Sequence, residues 1–136
     1  MVKHHGVPFL EKKQLELTIN ESNKNDIRKI LGNPSTTSKF DNDVWIYIER
    51  KITNTHFFGK RDLIVNNVLV IEIDNLGLIT KMDFYNLNDM NELSFDKKTT
   101  EANYKKRNFV YSFLSSMRQK INDPLGVRKK RREEGN

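Results

Sequence analysis

The 136-residue chain contains no cysteine. Disulfide staples, thiolate metal sites and a thiol nucleophile are thereby excluded, and thiol chemistry gives no guide to the compartment. Histidine is scarce: His4 and His5 stand at a terminus that reads as frayed, and His56 falls in a loop without a nearby carboxylate pattern. Neither a glycine-rich phosphate loop nor a Ser/His/Asp spacing occurs. The chain therefore reads as a non-enzyme with no metal and no cofactor. Long apolar runs are missing as well, and stretches such as Val68 to Ile71 fall far short of the roughly 20 residues that a membrane-spanning helix needs. No apolar segment follows Met1-Val2-Lys3-His4-His5, so the chain as written shows no signal peptide and reads either as cytosolic or as a trimmed form.

What is present suits one small soluble body: 36% hydrophobic residues, 31% charged residues and a mean hydropathy of -0.72. The formal charge of +6 is uneven, because Arg128, Lys129, Lys130, Arg131 and Arg132, set against Glu133 and Glu134, place half of it in a basic tail. A folded part with so little excess charge lacks the basic stripe of a dedicated nucleic-acid platform.

The stretch from Ser22 to Arg50 organises the rest. Ser22 or Asn23 can cap a helix with a short side-chain oxygen, and Asp26 adds negative charge at its positive end. Ile27, Ile30 and Leu31 then make one apolar face, and Gly32 and Pro34 stop the helix. Val44 to Arg50 follows as a strand, with Trp45, Tyr47 and Glu49 on one face and Val44, Ile46 and Ile48 on the other. Both faces begin apolar, so both are expected to be covered.

Elsewhere, Pro8 and the spacing of Phe9, Leu10, Gln14 and Leu17 predict a first helix over about Phe9 to Leu17. Ser35 to Ser38 is polar and β-tolerant, Phe40 is expected to fold back toward Trp45, and Lys51 to Lys60 reads as a loop carrying Phe57 and Phe58. Asp62 to Asp74 predicts a central strand bulged at Asn66-Asn67, and Asp74 to Gly77 a hairpin turn into a strand over Leu78 to Tyr85. Asn86 to Glu101 reads as an extended connection. From about Tyr104 the apolar face of Phe109, Val110, Phe113, Leu114, Met117 and Ile121 predicts an amphipathic helix, ended by Asn122-Asp123-Pro124. The expected fold is α+β: two short N-terminal helices on a three-stranded antiparallel meander, plus a C-terminal helix and a basic tail. The expected division is 1–86 as the helix-sheet domain, 87–123 as an extension with the amphipathic helix, and 124–136 as a disordered basic tail.

The ordered set Leu31-Gly32-Asn33-Pro34, Phe40, Trp45, Tyr47 and Arg50, followed by Ile73-Asp74 and Gly77-Leu78-Ile79, resembles the BamE/SmpA/OmlA family of small outer-membrane lipoproteins. These are accessory subunits of the machinery that folds β-barrel proteins into the outer membrane. The resemblance covers about Leu17 to Phe84, and the C-terminal extension is similar to that of alphaproteobacterial members. Asn20 stands where the family usually has glycine, Asp43 where asparagine is common, and the family's lipidated cysteine is absent from the chain as written.

The resemblance implies a scaffold at the periplasmic face of the outer membrane, docking on a helical-repeat lipoprotein of the assembly complex and touching anionic lipid. The implied contact residues are Leu31, Phe40, Asp43, Trp45, Tyr47 and Arg50, and the run Arg128 to Arg132 is expected to act as a lipid-facing tether. Read on their own, Trp45 and Tyr47 suit a core as well as an interface. The alternative class is a small basic nucleic-acid or ribosome-associated protein, against which no strand interleaves aromatic with basic residues. An inhibitor protein built on the same helix-sheet module is a third option.

Overall fold

The computed structural model describes residues 2–55, 60–88 and 101–122. The strongest local signals produce the expected elements. Asn23 accepts the Asp26 amide at 2.9 Å while Asp26 accepts the Asn23 amide at 3.0 Å, a reciprocal capping box that starts α2, Lys24–Leu31. Gly32 ends that helix at φ +79. In the hairpin turn, Asp74 Oδ1 accepts the amides of Leu76 and Leu78, and Gly77 supplies φ +84. The first helix is less regular than its spacing predicts. One α-turn, α1 (Leu10–Lys13), passes directly into a 3-10 turn over Gln14–Glu16.

The meander forms, and it is wider than three strands. In chain order the sheet comprises β1 (Val2–Gly6), β2 (Thr36–Lys39), β3 (Asp43–Thr55), β4 (Lys60–Ile73) and β5 (Ile79–Asn86), all pairings being antiparallel. Two strands were not expected. β1 pairs with the second half of β3, His4 opposite Lys51 and His5 opposite Arg50, so the two histidines lie in a ladder and not at a frayed end. β2 pairs with the first half, Thr37 opposite Trp45. Between them the amides of Val7 and Ser35 donate to the carbonyls of Ile48 and Ile46, at 2.8 Å each, so the two short strands lie end to end along one edge of β3. Neither strand alternates apolar and polar residues, and both exist because β3 offers that edge.

The expected loop over Lys51 to Lys60 is mostly strand, since β3 runs to Thr55 and β4 starts at Lys60; Phe57 and Phe58 lie outside the described residues. The expected bulge at Asn66-Asn67 is also displaced. Lys51 faces Val65 and Ile52 faces Leu63, which leaves Ile64 as the extra residue, and a second shift leaves Thr80 extra on β5. Asn66 and Asn67 instead keep regular register opposite Arg50 and Glu49.

Both faces of the sheet are covered. On the first, Trp45, Tyr47, Leu69, Ile71, Ile73 and Ile79 pack against Leu10, Leu17, Ile27 and Leu31 of the N-terminal helical layer. On the second, Val44, Ile46, Val68 and Val70 pack against Val110, Leu114 and Met117 of α3, Glu101–Asn122. Lys106 of α3 ties down to Glu72 of β4 at 2.8 Å. The connection over 89–100 and the basic tail lie outside the described residues.

Candidate functional site

Trp45 sits where α2, β2 and β3 meet. Its ring is buried from below by the core, while Arg28 and Lys24 lie over it at 4.7 and 5.8 Å from the ring centroid. These cations stand four residues apart on α2, the spacing that places two side chains on one helix face. Lys24 also reaches Asp43 at 2.7 Å, and the pair is only partly exposed. Two cations, one carboxylate and an indole thus form a compact cluster, with Arg28 facing solvent. Stacking a guanidinium on an indole contributes about 0.5–1 kcal/mol at an exposed site. Beneath it, Tyr47 is wholly buried and donates its hydroxyl to the Gly32 carbonyl at 2.9 Å, which ties β3 to the end of α2. Burial pushes the Tyr47 phenol up to about 12, with Arg28 opposing the rise.

The six residues implied by resemblance do not form one patch. Leu31, Trp45 and Tyr47 are core residues of the first face, and Asp43 lies at the edge of the Lys24–Arg28 cluster. Phe40 does not fold toward Trp45. It packs on the second face, its ring 5.9 Å from that of Phe109 on α3. The reason is the pleat: β2 turns back into β3 so that the turn residues sit beside Val44 and Ile46, not beside Trp45. Arg50 follows the same alternation onto the second face, opposite Asn66. Among the described residues its buried Nε has no hydrogen-bond partner, nor have the side-chain polar atoms of Asn66, and burial lowers the Arg50 guanidinium from its ordinary value.

Lys24 and Arg28 were missed in the sequence because i, i+4 basic pairs on a short helix ordinarily mark a solvated face. The signal that could have found them is their placement: Lys24, Arg28 and Leu31 form one stripe of α2 that must pass over the following strand. The five tail cations, Arg128, Lys129, Lys130, Arg131 and Arg132, lie outside the described residues. Among the described residues no group of three His, Asp or Glu side chains comes together, and no helix is long and apolar enough to cross a membrane.

Comparison with known proteins gives one match. The family model described as the outer membrane protein assembly factor BamE domain matches residues 8–83, more than half of the chain, from the turn before α1 into β5. No curated protein and no solved structure matches. β1 and α3 lie outside the matched region, whereas α2, the Trp45 cluster and the hairpin all lie within it. A domain match of that extent, carried on a capped helix, a two-sided sheet and a glycine hairpin in the observed order, places the chain in the BamE/SmpA family of outer-membrane assembly lipoproteins.

Proposed function

We propose that this member of an outer-membrane assembly family acts as an adaptor, docking another subunit through the junction of α2 and β3 and holding anionic lipid with its basic tail. The observation that carries the reading is the Trp45 cluster. Arg28 and Lys24 lie over a buried indole that is fixed by the core beneath it, which presents cationic and aromatic chemistry on a rigid base. Interfaces favour arginine and aromatic anchors set in packed surroundings. Asp43, held by Lys24, adds the opposite charge and so gives the surface an orientation. Phe40 and Arg50 lie on the second face and would belong to a separate part of the contact. The acidic headgroups of a membrane surface would attract the tail by about 1 kcal/mol for each basic residue close to it.

Arg28→Glu reverses the exposed charge without entering the core. It should reduce capture of the β-barrel assembly complex by roughly tenfold or more while leaving the thermal midpoint nearly unchanged, and Arg50→Glu should also weaken capture. Binding of the full chain to anionic vesicles should fall when Arg128 to Arg132 are replaced by serine and should weaken with salt. Unchanged capture by Arg28→Glu would remove the junction as the docking surface.

A further inference from the structure

A second concave site lies on the same sheet face, about 13 Å further along β3 by the rise of a strand, where the N-terminal helical layer ends. Its floor is Glu49. That side chain is buried, at 8% exposure, and its oxygens accept the amide of Phe9 at 2.8 Å and the amide of Leu10 at 3.1 Å. Asn67 donates to the same carboxylate through Nδ2 at 3.4 Å. Among the described residues Glu49 forms no ion pair; the cations that do pair, Lys24, Lys81 and Lys106, engage Asp43, Glu72 and Asp83. An anion is thus held against the fold by neutral donors alone.

Above Glu49 opens a cleft of about 400 Å³, lined by Phe9, Leu15 and Val65 together with the charged Glu11 and Lys12. Two of these wall residues are large and apolar and yet left in solvent, Phe9 at 70% and Leu15 at 76% exposure. Phe9 is also held at φ +58, a left-handed conformation that bulky side chains rarely adopt. The hydrogen bond from its amide to Glu49 holds the backbone there, and the side chain lines the cleft.

We propose that this cleft receives a lysine side chain from a partner protein. Apolar walls suit a four-carbon stem, and a carboxylate with no counter-ion among the described residues suits the cation at its end. The head is a primary ammonium by donor count. It brings three N–H groups: the floor offers Glu49 Oε2, which keeps one free acceptor site because Oε1 already takes the Leu10 amide and Asn67 Nδ2, and the Asn67 side-chain oxygen, and the third N–H is left to water at the mouth. A guanidinium, with five donors in a rigid plane, would leave three without a protein acceptor. The inference is independent of the α2–β3 reading, because it concerns residues on α1, the 3-10 turn and the far half of β3.

The test uses the full chain, isotopically labelled, titrated with acetyl-Ala-Lys-Ala-amide and with the norleucine analogue, which keeps the stem and lacks the charge. The lysine peptide should shift the Phe9, Leu10 and Asn67 amide resonances and bind roughly tenfold or more tighter than its analogue, as a charged hydrogen bond requires. Glu49→Gln should erase that preference. Phe9→Gly, which relieves the positive φ, should keep the thermal midpoint while weakening both peptides. If Glu49→Gln fails to fold because the Phe9 and Leu10 amides lose their acceptor, Leu15→Ser at an exposed position decides, and unchanged affinity there overturns the site. Equal binding of the two peptides, or shifts scattered over other surfaces, overturns it as well.

Discussion

Tyr47 joins two elements through one hydroxyl, and its chemistry gives the fold a pH limit. Burial raises its phenol to about 12, and burial together with Asp83 raises Tyr85 to about 12 as well, with Arg107 opposing. A phenol whose pKa is higher folded than unfolded stabilises the fold fully below the unfolded value of 10, and that stability is lost as pH rises toward 12. For the wholly buried Tyr47, two pH units correspond to about 2–3 kcal/mol. The urea midpoint should therefore fall between pH 10 and about 12, and Tyr47→Phe should make that fall shallower although it costs about 1 kcal/mol at neutral pH through the lost bond to Gly32. An equal slope in both proteins would assign the alkaline loss elsewhere. Residues of this kind were partly legible. The alternation of Trp45, Tyr47 and Glu49 fixed their common face, and the packing above decided between core and interface. The alternation placed Glu49 on that face, but nothing local names its partners, Phe9 and Leu10, which lie about 40 positions earlier.

At the scale of elements, legibility follows the range of the signal. α2 and the 74–78 turn carry their instructions within five residues, in Asn23, Asp26, Gly32, Asp74 and Gly77, and both form as read. β1 and β2 carry almost none, because His4, His5 and Thr37 become strand residues only opposite Lys51, Arg50 and Trp45. Gly6 is the local trace of that long-range pairing. It lies at φ +82, and a Cβ there would collide with the carbonyl oxygen of Ile48, an atom fixed in the sheet. Gly6→Ala should cost more than about 1 kcal/mol, lower the thermal midpoint and raise amide exchange along the ladder from Lys3 to Gly6. Exchange confined to its original rates would show that β1 tolerates the crowding.

The molecule as a whole is a sheet between two unlike covers, and only one of them belongs to the matched domain. α3 lies beyond residue 83, yet Val110, Leu114 and Met117 bury Val44, Ile46, Val68 and Val70. Three aliphatic side chains of that size contribute roughly 5–8 kcal/mol, comparable to the whole net stability of a small domain, about 5–15 kcal/mol. Ending the chain at Asn88 should therefore abolish a cooperative thermal transition and expose a dye-binding apolar face. A sharp transition near the original midpoint would show that the second face tolerates water. The apolar face of α3 was legible as a demand for cover, and the sheet's own apolar second face, the expected surface, meets it. The edge formed by β1 and β2 has a consequence in time. Val2 to Gly6 find their partners only at Glu49 to Thr53, so in synthesis from the N-terminal side β1 emerges well before the strand that pairs it. For that interval the five residues wait unpaired, and the β3 edge that will receive them is completed only when Val2 to Gly6 return to it.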